Sequence, residues 1–157
     1  MRRPDRWDAA VARDLIESNA KLDGATLPIL HALQDQFGYV DPAAEPMIAD
    51  ALNLSLAELR GVISFYHDFR RAPPGQRVIR LCRAEACQSV GCEALVDHVA
   101  QSRGLAIDST SADGAVTFET VYCLGNCALG PAALVDGELV GRLTGAKLDA
   151  LCAGRAA

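Results

Sequence analysis

Aromatic residues are scarce in this chain. One Trp, three Tyr and four Phe among 157 residues leave aliphatic side chains and alanine to fill any core. Basic runs are missing as well: no stretch of Lys and Arg exceeds two, as at 2–3 and 70–71. With a formal charge of -5 and a pI near 5.1, that argues against nucleic acid and anionic membrane as partners, because both are bound through clustered cations. No apolar stretch approaches the roughly 18 residues that span a bilayer. The basic opening has no apolar segment of an export signal behind it. The expectation is a cytoplasmic protein without membrane insertion. Nucleotide-binding and nucleophile motifs are also absent: there is no GxGxxG, no Walker A and no nucleophile elbow. Nothing here looks able to bind NAD or flavin, and no catalytic site is expected. If the chain handles electrons, a partner must supply them.

What the chain does have is cysteine, six in all, where a reducing cytosol keeps thiols free. They are expected to be metal ligands or buried fillers rather than disulfides. Their setting follows from two kinds of periodicity. Residues 1–73 read as a helical segment of four short helices. "WDAAVARDLIESNAKL" spaces Trp7, Val11 and Leu15 by four. "TLPILHALQDQFGYV" opens on Thr26 as N-cap and stops at Gly38. "DPAAEPMIADALNL" begins on Asp41 as N-cap with Pro42 in the first turn. "SLAELRGVISFY" carries the capping box Ser55/Glu58. "RRAPPGQR" at 70–77 ends the pattern, since its prolines and glycine cannot continue a helix.

Residues 74–157 read as a second domain of order β-α-β-β-β-α, making the whole an α+β chain. "RVIRLC" at 77–82 is a strand, "GCEALVDHVAQSRG" a helix and "AVTFETVYC" a strand. "PAALVDGELVGRL" is a hairpin about Asp136-Gly137, and "GAKLDALCAG" a closing helix.

Two cysteine pairs stand out against this layout. Cys82 ends the first strand and Cys87 lies in the loop after it; Cys123 ends the second and Cys127 lies in its loop. Corners of this kind can lie side by side at one edge of a sheet, so four thiolates can converge. Their spacings, CxxxxC and CxxxC, leave an iron–sulfur cluster, zinc and plain structural or redox thiols open. The cluster is favoured, because wider bites suit a larger inorganic core with one pair per iron. Gly91, Gly125 and Gly130 are expected to permit positive φ and close backbone approach to sulfur. Cys92 and Cys152, in predicted helices, read as buried fillers. His31, His67 and His98 have no metal-like spacing to the cysteines, and Phe65 and Tyr66 read as core or interface anchors.

"VTFETVYCLGNCALGP" at 116–131 closely resembles the C-terminal signature of the thioredoxin-like [2Fe-2S] ferredoxin family. The likeness covers the whole chain, including the helical segment that ends in "GVISFYHDFR". The family contains the small subunit beside the flavin in NADH:quinone oxidoreductase and a subunit of NAD-linked hydrogenases. "CRAEACQSVGCEAL" and "SFYHDFR" look most like the gamma subunit of soluble NAD-dependent, molybdenum-containing formate dehydrogenase. The resemblance implies a thioredoxin-like fold and one [2Fe-2S] cluster per chain, with Cys82 and Cys87 on one iron and Cys123 and Cys127 on the other. It implies an electron-transfer subunit docked to an FMN- and Fe–S-containing NAD-binding subunit. A molybdenum-containing catalytic subunit would belong to the same complex. The same subunit in a hydrogenase or quinone oxidoreductase is the nearest alternative. A zinc-stabilised interaction module is the alternative from another class.

Overall fold

A computed structural model describes residues 5–154; the basic opening at 2–3 lies outside them. Among the described residues the chain forms seven α-helices and one five-stranded mixed sheet, an α+β arrangement as expected. It divides into two compact units between Pro73 and Pro74.

The first unit holds α1 (Ala9–Asn19), α2 (Thr26–Phe37), α3 (Ala44–Leu52) and α4 (Leu56–Phe65). None is long enough to be stable alone, and each buries one stripe in a shared core of Ala12, Ile16, Ile29, Leu30, Leu33, Phe37, Ile48, Leu59 and Ile63. Trp7 closes this core, its ring centroid 5.1 Å from that of Phe37.

The helix ends show where local signals work. The Asp8 carboxylate accepts the Ala10 and Val11 amides at 2.8 and 3.2 Å and starts α1. Ser55 and Glu58 form the expected reciprocal box at α4. Gly38 ends α2 in the left-handed conformation. Two expected caps fail. Thr26 is already inside α2, and Ala25 occupies the cap position with helical φ and ψ and no side-chain bond. The α3 helix starts at Ala44 rather than just after Asp41. The Asp41 carboxylate instead takes the Ala43 amide at 2.8 Å and shapes a tight turn ahead of the helix.

A buried carboxylate ties this unit together. Glu45, on α3, is 1% exposed and binds Arg60 of α4 at 2.7 Å and also Arg71 in the segment after α4. Phe65 and Tyr66 stack edge to face and are exposed, so within this unit they are not core residues.

In the second unit the sheet order is β2-β3-β1-β4-β5, from β1 (Arg77–Cys82), β2 (Ser109–Thr110), β3 (Val116–Val121), β4 (Ala133–Val135) and β5 (Glu138–Val140). β1 and β3 are parallel neighbours, with Cys82 opposite Val121 and Arg80 opposite Glu119. That opposite-charge pair, Nε to Oε2 at 3.0 Å, supports the register. The other pairings are antiparallel. Helices α6 (Cys92–Arg103) and α7 (Gly145–Cys152) pack with the sheet around Ile79, Leu81, Val99, Phe118 and Leu148. The β4–β5 turn has Asp136 at φ 52° and Gly137 at φ 90°, the two positive angles a type I′ turn requires.

Two elements escape the sequence reading. β2 is only two residues long, too short for any alternation to register. The one-turn helix α5 (Glu85–Ser89) replaces the expected loop after β1.

Candidate metal centre

The parallel β1–β3 pair brings its two C-terminal corners together, because both strands run the same way and end in register. Cys82 is the last residue of β1. Cys87 does not lie in an open loop as expected but inside α5, where it is buried. Cys123 does not end its strand either. It follows β3 by two residues, exposed, with φ at 63°. Cys127 is also exposed and opens a 3-10 turn, Cys127–Leu129.

The left-handed backbone at Cys123, uncommon outside glycine, has a visible result. The backbone of Cys123 and of Leu124, with that of Ala84, lies near the Cys82 sulfur and favours its thiolate. Convergent backbone of this kind makes a cradle for negative charge. Burial pushes the Cys82 thiol up, but that backbone and the Cys87 side chain outweigh it and leave Cys82 below the ordinary thiol range. Cys87 goes the other way: burial and its own bond to Cys82 raise it, although the Ala132 backbone favours its thiolate. Cys127 is raised by its hydrogen bond to Cys123, then by the charges of Cys123 and Cys82. Cys82 thus lies beside Cys87 and Cys123 beside Cys127, and Cys87 and Cys127 each feel charge from the other pair. Among the described residues no three His, Cys, Asp or Glu side chains draw close enough to hold a single metal ion.

The glycines play two different parts. Gly91 at φ 91° and Gly125 at φ 73° use the left-handed freedom expected of them. Gly130 does not: its φ is −66° and its backbone is extended. Its requirement is steric, since a Cβ there would lie 3.0 Å from Val90 Cγ2, 3.3 Å from the Cys127 carbonyl and 3.5 Å from Cys87 Sγ. It is the point where the two cysteine-bearing loops touch.

Cys92 is buried with Cys82 and Cys87, and its thiol is pushed up to about 11 by burial and by neighbouring Glu93. Cys152 is buried in the sheet's core and raised by burial, as a filler would be. Of the histidines, His98 bridges α6 to Asp149 of α7 at 2.9 Å, and the His31 ring packs tilted against Phe69.

Two features at this corner escape the sequence. Arg83 forms a two-pronged bridge to Glu93 at 2.9 and 2.8 Å, tying the end of β1 to the start of α6. No local spacing rule covers that separation of ten residues. The other is Gly141, whose role depends on a contact with a distant turn.

A sulfur-rich, amide-lined corner suits an iron–sulfur core: thiolates are its ligands, and N–H donors to sulfur are how a protein tunes one. Comparison with known proteins agrees. Over 127 residues the chain is 33% identical to an NADH-quinone oxidoreductase subunit of Mycobacterium bovis, covering 81% of this chain and 50% of that protein. It therefore spans about half the length of that relative. It is 32% identical over 129 residues to the NADP-reducing hydrogenase subunit HndA of Solidesulfovibrio fructosivorans, covering 82% of this chain and 75% of that one. The crystal structure of an NAD+-reducing [NiFe]-hydrogenase in the air-oxidized state superposes with a TM-score of 0.68 at 27% identity, over 82% of this chain and 22% of that chain. The profile of the thioredoxin-like [2Fe-2S] ferredoxins matches residues 12–155, and with the paired thiols at one sheet edge this shows that the chain belongs to that family.

Proposed function

We propose that the chain is an electron-transfer subunit holding one [2Fe-2S] cluster on Cys82, Cys87, Cys123 and Cys127. The observation that carries this is the meeting of the two cysteine-bearing corners at adjacent parallel strand ends, Cys82 and Cys87 on one and Cys123 and Cys127 on the other. When bound, a [2Fe-2S] cluster supplies a one-electron relay. The residues of the chain do the rest. The backbone of Ala84, Cys123 and Leu124 favours the Cys82 thiolate, and that of Ala132 the Cys87 thiolate. Cys82 and Cys87 shield one side from water, while Cys123 and Cys127 present the other to a donor or acceptor.

The parent complex follows from what the chain lacks and what it resembles. With no nucleotide-binding motif of its own, it is not an enzyme alone and takes electrons from a partner. Its relatives are named as subunits of NADH-quinone oxidoreductase and NADP-reducing hydrogenase. We assign the partner as an FMN- and Fe–S-containing NAD-binding subunit, with residues 1–73 as the docking segment. "CRAEACQSVGCEAL" and "SFYHDFR" favour a cytoplasmic, NAD-dependent formate dehydrogenase, whose molybdenum-containing subunit would complete the complex. Among the described residues no helix is long and apolar enough to cross a membrane.

Anaerobic purification of the native complex tests both levels. The isolated chain should be brown, carry about two irons and two sulfides, and give an EPR signal after dithionite reduction. A colourless, iron-free chain that folds normally would refute the cluster. Co-purification with hydrogenase or quinone-oxidoreductase subunits, instead of a molybdenum subunit, would refute the formate dehydrogenase assignment alone.

A further inference from the structure

The Cys127 turn is held partly by its own backbone bonds. Within it, the Leu129 amide donates to the Asn126 carbonyl at 3.0 Å and the Gly130 amide to the Cys127 carbonyl at 3.2 Å. Further backbone bonds come from a segment twelve to sixteen residues on, where β5 ends. There the Arg142 amide donates to the Leu129 carbonyl at 2.6 Å and the Leu143 amide to the Pro131 carbonyl at 3.0 Å. Arg142 adopts φ 51°, which turns the chain so that both amides face the cysteine loop. The segment is itself anchored from α7: Lys147 Nζ donates to the Gly141 carbonyl at 3.1 Å, and the Thr144 hydroxyl caps α7 by accepting the Lys147 amide at 3.2 Å.

Gly141 is where this strap and the turn come closest. A Cβ on Gly141 would lie 2.7 Å from the Leu129 carbonyl oxygen, 2.8 Å from Asn126 Nδ2 and 2.9 Å from Leu129 Cβ. Real Cβ atoms do not approach so near. The Asn126 side chain can swing aside, but the Leu129 backbone moves only if the 3-10 turn carrying Cys127 moves with it. Gly141 has no left-handed φ to justify it, so the need for glycine is the contact and not the local backbone.

We propose that Gly141 is a positioning residue for the cluster. Its missing side chain lets the strap at 141–143 seat the Cys127 turn and fixes where the Cys127 sulfur stands relative to the other three. This rests on the ligand set proposed above. Gly141 lies outside the 116–131 signature, yet it sets the geometry of one ligand. A substitution there should act on the cluster more than on the fold.

The test uses the full chain, reconstituted anaerobically with ferrous iron and sulfide, as wild type, Gly141→Ala and Gly137→Ala. Gly137 is a matched control: at φ 90° in the turn of the same hairpin, an alanine there strains the backbone at a different point from Gly141. Gly141→Ala is expected to change the EPR line shape of the reduced cluster and to shift its midpoint potential. Iron loss to a chelator should be faster, roughly 10–100-fold, the usual effect of removing an outer support from a metal site. Gly137→Ala should lower the urea midpoint and leave all three cluster readings at wild-type values. If Gly141→Ala does not fold, Lys147→Met cuts the anchor of the strap without inserting an atom at the contact and should shift the same readings in the same direction. Wild-type EPR, potential and iron release in the folded variant would overturn the proposal. Failure of the wild-type chain itself to take up iron and sulfide would refute the ligand assignment, and this inference with it.

Discussion

Glu45 offers a quantitative test of how the helical unit is held. Its carboxylate is 1% exposed, whereas its partners Arg60 and Arg71 are 62% and 45% exposed. The asymmetry decides the magnitude. Breaking a fully buried pair costs about 3–5 kcal/mol, because the stranded charge stays buried. Here, removal of Glu45 strands only guanidinium groups that already reach water. What is lost is two charge-assisted hydrogen bonds, each worth about 1.5–3 kcal/mol in a dry site and less where one partner is solvated. Glu45→Ala should therefore destabilise the unit by about 2–3 kcal/mol, including the void it leaves. Glu45→Gln, which keeps the shape and one acceptor, should cost about 1–2 kcal/mol. With a urea slope of about 1–2 kcal/mol per molar for a unit of this size, Glu45→Ala moves the midpoint down by about 1–3 M. The assay is built in: Trp7, the single tryptophan, packs on Phe37 inside this unit, so its emission follows this unit and not the sheet. An unchanged midpoint in Glu45→Ala, or a larger loss in Glu45→Gln than in Glu45→Ala, would refute the reasoning.

Serine at Cys82, Cys87, Cys123 or Cys127 should abolish or destabilise the visible spectrum of the reconstituted chain, while Cys152→Ser keeps it; the reverse pattern for Cys87 and Cys152 would contradict the ligand assignment. Phe118 is fully buried in the sheet's core, so Phe118→Ala should cost about 3–5 kcal/mol, read as a drop in the urea midpoint by far-UV circular dichroism. Glu58 is held below its ordinary value of 4.5 by the Ser55 amide and then the Ser55 hydroxyl. A depressed folded value means its contribution is complete above about pH 4.5 and is lost as pH falls through the folded value. Glu58→Gln should flatten the acid side of a melting-temperature profile, and an unchanged profile would show that the box contributes nothing.

Where a signal is local, it can be read in the sequence. The run "RVIRLC" is β1 to the residue, and Asp136-Gly137 makes the expected turn because two adjacent positive φ angles suit that dipeptide. Ser55 and Glu58 sit three apart and cap each other. Thr26 misleads because a hydroxyl before an apolar run marks a cap only if its own backbone is extended, and here the preceding turn has already coiled the chain. The four thiols are identifiable from two spacings, but not their inequality. That Cys82 and Cys87 are buried and Cys123 and Cys127 exposed depends on α5 folding over the first corner. For Gly130 the expected freedom of φ is not used, while the expected close approach is: a Cβ there would meet Val90 and the Cys87 sulfur. Gly141 gives no signal at all, since its neighbour in space lies more than ten residues away in sequence.

The parallel pairing of β1 with β3 also sets a schedule. The thiols at its two corners are separated by some forty residues of chain, and the strap that seats the last of them comes later still. During synthesis the helical unit is complete well before any of these cysteines has a partner, and domains generally fold in order of emergence. Long-range parallel pairing is slow to form. A nascent chain that has reached Cys87 presents two thiols that would bind stray metal poorly. One that includes Leu143 carries all four, together with the strap that seats the Cys127 turn. On the ligand set proposed above, cluster loading would wait for the finished protein.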